Sequence, residues 1–351
     1  MQVQTPNLFS FATSELSQDA FICWLASWAQ PELKAIDPLL HKTAQEFVAS
    51  LIRKCKIEIP EIESIDIQRQ NDRIDILVFV NKATENRLAI LIEDKTHTNH
   101  HSSQLERYYS LVSGDKYAFR DDQIIPIYFK TGYQSRFDLD STYHLYLRKD
   151  FLEILRTGKN NGIDNAIYND FLDHLENMES VIKLYQTKSL DEKWLATDWI
   201  GFYMGLFDEF GHQQGTNWNY IPNQTGGFYG FWWGFIESDL RYVPYLQLEQ
   251  QKLCIKIQVS EKSERAIIRE KAYKRLIEKT NQTQLKFVRP RKMGNGNFMT
   301  VLELSLDGYR VFRNGVIDME QTIEVLKSAT QLLIDAFQEP YSTNQPVTHS
   351  D

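Results

Sequence analysis

The order of hydrophobic and polar residues in the first part of the chain predicts two helices followed by an edge strand. Apolar residues recur at helical spacing over residues 14–29 and 38–54, and Pro31 lies just past the end of the first stretch. Residues 57–70 instead alternate singly between apolar and polar, which is the period of a strand. Pro60 interrupts this strand, and a proline there is typical of the edge of a sheet.

Two apolar runs rich in Ile and Val, at residues 74–80 and 88–92, predict strands of a well-covered sheet. A helix at 103–112 and strands at 123–130 and 143–147 should follow, and then a helical stretch at 151–185 that a polar turn divides. This order predicts a mixed sheet flanked by helices, with one helix crossing between strands.

The character of the chain changes near residues 187–191, where we expect a domain boundary, although the helix predicted at 192–210 could bridge the two halves. Residues 217–259 are rich in aromatic residues and predict three or four antiparallel strands, with a tight turn at Gln250 and Gln251. A helix at 260–279, strands at 285–288 and 298–304, and a helix at 318–337 complete this half. The predicted fold class is α/β (α+β), with a first domain at 1–190, an α+β recognition domain at 191–338 and a disordered tail at 339–351.

Composition narrows the class of protein without naming a function. The chain has 351 residues, 42% of them hydrophobic, and a net charge of −8, as expected for a globular protein. We find neither an apolar run long enough to span a membrane nor a basic and apolar leader, so we expect no membrane association. Cys23, Cys55 and Cys254 are scattered, which favours a reducing, cytoplasmic location.

Ionisable residues occur in the two central apolar strands, where they are not expected by default. Asp75 lies near the start of the first strand, and Glu93, Asp94 and Lys95 end the second. Side chains alternate along a strand, so Glu93 and Lys95 share one face, and strand pairing can bring Asp75 across from Glu93. Paired carboxylates suit a hard cation such as Mg²⁺, and a neighbouring lysine can orient an attacking water or neutralise charge on a phosphate. The chemistry indicated is phosphodiester hydrolysis.

Asp75 followed by Glu93-Asp94-Lys95 resembles the PD-(D/E)xK nuclease superfamily, although Ile74 precedes the first acid where many members have proline. Gln104 and Tyr108 match the Q-x-x-x-Y signature of its RecB-like branch. Glu15, in SELSQDAFICWL, is similar to the helical acid that many members add to the metal site, but it is also a favourable first-turn acid after Ser14. The resemblance covers roughly the first half of the chain and is strongest to the small bacterial branch of the superfamily.

The resemblance implies a restriction-endonuclease-like core and a metal-dependent nuclease that acts on DNA, in bacterial defence or repair. It implies Mg²⁺, or Mn²⁺ as a substitute, held by Asp75 and Glu93, with Glu15 and Asp94 as further ligands. Lys95 would assist the attacking water, and Gln104 and Tyr108 would orient Lys95 or the phosphate. The alternatives are an RNA- or structure-specific nuclease and a non-catalytic module that binds nucleic acid or protein.

The histidines that follow Lys95 raise the question of a zinc site. His97, His100 and His101 are close together in sequence, but no fourth ligand or defined spacing accompanies them. We therefore expect a mobile loop beside the active site, where the histidines contact phosphate or are solvated.

Basic residues are concentrated late in the chain. Residues 252–313 hold fifteen Lys and Arg against six acids, an asymmetry that is typical of a nucleic-acid surface. The alternative is a solvated helix face and a hairpin loop. Cleavage of both strands would favour a homodimer or a second nicking event, and partner proteins are also compatible with this surface. The candidate nucleic-acid-binding residues are Arg73, Lys262, Arg265, Arg269, Arg289, Arg291 and Lys292.

Overall fold

The computed structural model describes residues 6–96, 102–137, 139, 142–223, 226–237, 241–280, 283–304 and 308–338, without the side chains of 102–104. These residues form two compact units, which divide the chain between Ser180 and Val181. The predicted tail at 339–351 lies outside the described residues.

The first unit is built on a five-stranded mixed sheet in the order β1-β2-β3-β4-β5. The strands β1, β2 and β3 pair antiparallel, whereas β3, β4 and β5 pair parallel. A parallel pair needs a crossover connection, and the helix α3 (Ser102–Ser113) supplies it between β3 and β4. The bounds of the strands are β1 Ile65–Asn71, β2 Ile74–Val80, β3 Leu88–Lys95, β4 Ile124–Lys130 and β5 His144–Leu147.

Helices cover both faces of this sheet, and the alternation of side chains along each strand divides the core in two. Ile90 and Ile92 pack into a larger cluster with the helices before and after the sheet. Ala89 and Leu91 face the smaller cluster beneath α3. The helices of this unit are α1 Glu15–Ser27, α2 Pro38–Arg53, α3 Ser102–Ser113, α4 Arg148–Asn160 and α5 Ala166–Val181. The mixed sheet flanked by helices confirms the predicted fold class.

The strand predicted at 57–70 is wrong over its first half, since β1 begins only at Ile65. The side chain of Asn81 provides the reason. Its Oδ1 accepts from the backbone of Glu63 at 2.8 Å and of Ser64 at 3.1 Å, and its Nδ2 donates to Glu61 O at 2.7 Å. An amide side chain, and not a neighbouring strand, therefore binds the backbone of residues 61–64. The predicted edge position of the strand is confirmed, because β1 is the outer strand of the sheet.

The second unit contains a five-stranded antiparallel sheet in the order β10-β9-β8-β7-β6 and a two-stranded ribbon of β11 and β12. Gln250 and Gln251 form the predicted tight turn, because Glu249 pairs with Lys252. The strands are β6 Asn217–Asn223, β7 Gly226–Trp233, β8 Val243–Glu249, β9 Lys252–Gln258, β10 Phe298–Leu304, β11 Phe312–Arg313 and β12 Val316–Ile317.

Aromatic residues join this second sheet to its helices, which are α6 Ala196–Phe210, α7 Arg265–Thr280 and α8 Met319–Phe337. The ring of Phe210 lies 5.5 Å from that of Trp233, whose Nε1 donates to Thr330 Oγ1 at 2.9 Å. The aromatic residues of β7 contribute to the core through Phe231 and Trp233, which are both fully buried.

Two other predictions for this half were wrong in detail. The strand predicted at 285–288 is a single bridge between Val288 and Glu303. The helix predicted from residue 260 begins at Arg265, because Ser263 bonds back to Glu261 in a turn. Among the described residues, no helix is both long and apolar enough to cross a membrane.

Candidate active site

The pairing of β2 with β3 brings the predicted carboxylates together at one end of the sheet. Ile76 lies opposite Ile92, so the next residues outward are Asp75 and Glu93. The backbone N–H of Asp94 donates to Asp75 Oδ2 at 3.0 Å, which fixes the Asp75 carboxylate against β3. The sequence prediction that these two acids face each other therefore matches the strand register.

Lys95 lies between the two carboxylates. Its Nζ is 2.7 Å from Glu93 Oε1 and 3.5 Å from Asp75 Oδ2, and it donates to Asp94 O at 3.1 Å. Burial alone would lower the pKa of Lys95, but contact with Glu93 and the charge of Asp75 raise it above its usual value. The lysine is therefore a fixed positive charge in an otherwise acidic site.

Glu93 is almost completely buried, with an exposed fraction of 1%. Its Oε1 forms an ion pair with Lys95 Nζ at 2.7 Å, and neither carboxylate oxygen has an aligned hydrogen bond from another described residue. Burial, followed by the charge of Asp75, raises the pKa of Glu93 to about 7. Unsatisfied oxygens in a buried carboxylate are ready to accept a cation.

This donor set fits a hard divalent cation. Mg²⁺ is commonly held by one or two carboxylates and keeps several waters, and Asp75 and Glu93 supply two neighbouring carboxylates. In the described part of the chain, no group of three or more His, Cys, Asp or Glu side chains is arranged to hold a metal ion, so the further ligands expected at Glu15 and Asp94 do not complete such a group. A site of two carboxylates and waters does not require a third side chain.

Glu15 reaches the same end of β3 from the first turn of α1. Its Oε1 accepts from the backbone N–H of Thr96 at 3.0 Å, immediately after Lys95. The side chain that the sequence singled out on this helix is therefore held beside the strand that carries Glu93 and Lys95.

Asp94 points to the opposite face of the sheet, where it contacts Gln18 and Asp19, two residues that the sequence analysis missed. Gln18 Nε2 donates to Asp94 Oδ1, and Thr131 Oγ1 donates to Gln18 Oε1. Burial, followed by the charge of Asp19, raises the pKa of Asp94 well above its usual range. Burial also raises the pKa of Asp19 to about 6, although a hydrogen bond with Asp94 opposes the shift.

These acids border an open cleft of about 390 Å³. The spacing of Asp19 four residues after Glu15, on one helix face, was the sequence signal that could have predicted its place there. The cleft is lined by Ser14, Glu15, Leu16, Asp19, Gln70, Asp75 and Asp94.

The strand β4 brings a second lysine to this end of the sheet, which was also missed. Lys130 pairs with Lys95 in the parallel register and is buried. Burial lowers the pKa of Lys130 to about 8, and the charge of Glu15 opposes this shift. Just beyond it, a Cβ on Gly132 would lie 1.6 Å from Thr96 O, so only glycine permits the backbone after β4 to approach the end of β3 this closely.

The helix α3 covers the face of the sheet that carries Glu93 and Lys95. Tyr108 is buried there with Leu105 and Val112, and the Arg107 guanidinium lies 5.1 Å from its ring. The side chain of Gln104 and the histidines at 97, 100 and 101 lie outside the described residues.

The predicted nucleic-acid-binding residues differ in their exposure. Arg73, Lys262, Arg291 and Lys292 are exposed. Arg289 is also exposed, but it pairs with Glu270 at 2.6 Å and lies 4.5 Å from the Tyr273 ring.

Arg265 and Arg269 have bonds within the unit instead. The Arg265 guanidinium is buried and donates to Val259 O at 3.2 Å and Asn295 O at 3.0 Å, and Arg269 donates to Gly294 O. Both arginines therefore hold the glycine-rich loop in place.

Comparison with known families gave one match. The model for the family described as the PD-(D/E)XK nuclease superfamily matches residues 6–196, which include Glu15, Asp75, Glu93 and Lys95. Comparison with curated proteins gave no match, and comparison with solved structures gave none.

Proposed function

The chain belongs to the PD-(D/E)XK nuclease superfamily, and we propose that it is a Mg²⁺-dependent endonuclease that hydrolyses phosphodiester bonds in DNA. The observation that carries the proposal is Lys95, held 2.7 Å from Glu93 and 3.5 Å from Asp75 at the end of two paired strands. An acid, acid and lysine set in contact at one strand end is what in-line phosphate hydrolysis needs.

In this proposal Asp75 and Glu93 hold the cation, and Glu15 and Asp94 complete the acidic surroundings. When bound, Mg²⁺ would supply Lewis-acid activation of the phosphate and of the attacking water. Mn²⁺ would substitute. Lys95 neutralises charge that builds on the phosphate oxygens, and its contacts with Glu93 and Asp75 keep its ammonium in place before the substrate arrives. Gln104 and Tyr108, on the helix above, would orient Lys95 or the phosphate.

The second unit would recognise the nucleic acid through its exposed basic side chains. We assign this role to Lys262, Arg289, Arg291 and Lys292, with Arg73 near the active site. Arg265 and Arg269 would act indirectly, because they fix the loop between α7 and β10. Replacing Arg291 and Lys292 by serine should weaken DNA binding and flatten its salt dependence, since each phosphate contact releases counterions. An unchanged salt slope would remove this surface from the proposal.

The three cysteines are free, which agrees with a reducing, cytoplasmic location. A role in bacterial defence or repair is part of the proposal and follows from the family resemblance. Cutting both strands of a duplex would favour a homodimer, a partner protein or a second nicking event.

The decisive experiment is cleavage of circular, linear and single-stranded DNA, and of RNA, with Mg²⁺ or Mn²⁺. We expect the native protein to cut DNA and to nick or linearise circles, and Lys95→Ala to lower the rate by about 100-fold or more. Lys82→Ala is the matched control, because this lysine lies in the turn between β2 and β3, is half-exposed and pairs with Asp66 at 3.1 Å. Equal cutting by Lys95→Ala would contradict the assignment. No cutting by a folded, metal-binding protein would favour the binding-module alternative.

A further inference from the structure

Phe11 is the most exposed large hydrophobic side chain in the described part of the chain, at 82%. Single exposed apolar residues are common on protein surfaces and need no explanation by themselves. Phe11 differs from these by the rigidity of its turn and by its place beside the cleft.

The turn that carries Phe11 is fixed on its N-terminal side. Asn7 Oδ1 accepts from Phe9 N at 2.9 Å, and Asn7 Nδ2 donates to Asp170 O at 2.7 Å on α5. Leu8 N donates to Asp170 Oδ2 at 2.8 Å. Phe9 is buried, with its ring 4.8 Å from that of Phe171. Phe9 thus anchors the turn in the core, while Phe11, two residues later, is held in solvent.

The same turn leads directly into the candidate active site. Ser14, the first residue that lines the cleft, is three positions after Phe11, so their Cα atoms are at most about 11 Å apart. Leu16 also lines the cleft and is 47% exposed. The α1 side of the cleft therefore carries an apolar rim at Leu16, with Phe11 just before it in the chain, whereas the wall carries the carboxylates of Glu15, Asp19 and Asp75.

A nucleic-acid strand at this cleft meets two opposite forces. The carboxylates repel its phosphates, but an aromatic ring attracts the face of a base without regard to charge. In a duplex interior both faces of each base are already stacked, so only an unpaired base or a frayed end offers a free face. The rim thus favours a strand with unpaired bases.

We propose that Phe11 is a stacking site for an unpaired nucleobase of single-stranded DNA within a few nucleotides of the scissile phosphate. This inference rests on the proposed nuclease function and names its substrate class. Leu16 would support the same base or its neighbour from the cleft side.

The test measures the affinity of single-stranded and blunt duplex oligonucleotides, with Ca²⁺ as the divalent ion, for the native protein, Phe11→Ala and Phe11→Trp. We expect Phe11→Ala to weaken single-strand binding by about 5- to 150-fold, the range for one lost base stack, and to leave duplex binding unchanged. Phe11→Trp should keep single-strand binding close to that of the native protein, because an indole ring also stacks on a base. Ile36→Ala is the control, since Ile36 is 69% exposed and does not line the cleft.

A second set of oligonucleotides carries one abasic position that is moved along the strand. When the abasic position coincides with the stacked base, the affinity of the native protein should fall by the same factor, about 5- to 150-fold. The affinity of Phe11→Ala should not fall further at that position. Thermal unfolding of Phe11→Ala should match that of the native protein, because the side chain is exposed.

Three outcomes would overturn the inference. If the native protein cuts DNA and Phe11→Ala binds single strands as tightly as the native protein does, the stacking site is wrong and the nuclease function stands. A native protein that neither binds nor cuts would remove both. A change of oligomeric state in Phe11→Ala without a change in binding would assign the ring to contact with a second copy of the chain.

Discussion

At the scale of single residues, Glu93 combines near-complete burial with two charged neighbours. Its pKa is raised from 4.5 to about 7, so between these pH values the folded chain binds a proton that the unfolded chain has released. The free energy of unfolding of the metal-free protein should therefore decrease as the pH rises through this window, by a few kcal/mol.

Thermal unfolding in EDTA between about pH 4.5 and 8 measures this effect. Glu93→Gln should reduce the decrease but not abolish it, because the raised pKa values of Asp19 and Asp94 act with the same sign. Glu46→Gln is the control, since Glu46 lies on the surface with half of its side chain exposed. A pH profile that Glu93→Gln leaves unchanged would contradict the burial argument.

Mg²⁺ should reverse this loss of stability, because cation binding requires ionised carboxylates. At about pH 8 saturating Mg²⁺ should raise the unfolding temperature of the native protein, and at about pH 5 it should raise it much less. Asp75→Asn should lose the Mg²⁺ effect. Asp66→Asn, at an exposed surface ion pair, should retain it. A stabilisation that persists in Asp75→Asn would place the cation elsewhere.

Gln18 is expected to hold Asp94 in place through the buried chain of hydrogen bonds that ends at Thr131. Gln18→Leu and Thr131→Val each leave a buried polar atom without its partner, so each should cost about 1–3 kcal/mol of unfolding free energy. The double variant should cost clearly less than the sum, because both changes break one network. Urea unfolding provides the measurement, and additive losses would show that the two contacts are independent.

The candidate site was only partly predictable from the residues. Asp75, Glu93 and Lys95 attracted attention because charged groups interrupt apolar strands, and alternation alone assigns them to faces. Gln18 and Lys130 carry no such signal, since their position depends on how α1 and β4 lie against β3. For Asp19 the four-residue spacing from Glu15 was a signal, but the sequence analysis did not use it. Arg265 and Arg269 looked like a free basic face, but only the fold reveals the loop carbonyls that they bind.

At the scale of elements, long periodic patterns of apolar residues were sufficient to predict helices and strands, whereas short local patterns were not. The strands β2, β3 and β4 and the helices α1 and α2 lie close to their predicted positions, because long apolar patterns leave few alternatives. The segment 57–64 has a strand pattern, but its last residues, 61–64, bond to the side chain of Asn81, a contact distant in sequence. Whether a short segment with such a pattern forms a strand depends on its tertiary contacts.

The close approach of the segment after β4 to β3 provides a test at this scale. Gly132→Ala would place a Cβ 1.6 Å from Thr96 O, so the end of β3 must shift. We expect a loss of about 3 kcal/mol or more of unfolding free energy, together with loss of cleavage, because Lys95 precedes Thr96. Gly294→Ala, where a Cβ meets nothing within 4 Å, should have little effect on either. Native-like stability of Gly132→Ala would contradict this account of the strand ends.

At the scale of the whole molecule, the position of the boundary between the two units has a physical basis that the sequence did not reveal. We predicted a boundary at residue 190 from a change in composition, and that limit stays a prediction. Tyr185, before that limit, lies 5.7 Å from Trp194 and 5.9 Å from Phe202. A Cβ on Gly201 would lie 1.7 Å from Ile182 O, so the segment also packs closely on α6.

These contacts predict that the fragment 181–351 is more stable than the fragment 191–351. The shorter fragment loses the buried side chains of Ile182 and Tyr185, which together contribute roughly 3 kcal/mol or more. Chemical unfolding of both fragments measures the difference, and 1–180 should unfold cooperatively and bind Mg²⁺ as well as 1–190 does. If 191–351 is equally stable and only 1–190 folds, the boundary lies at 190, and the residues around Tyr185 belong to the nuclease unit.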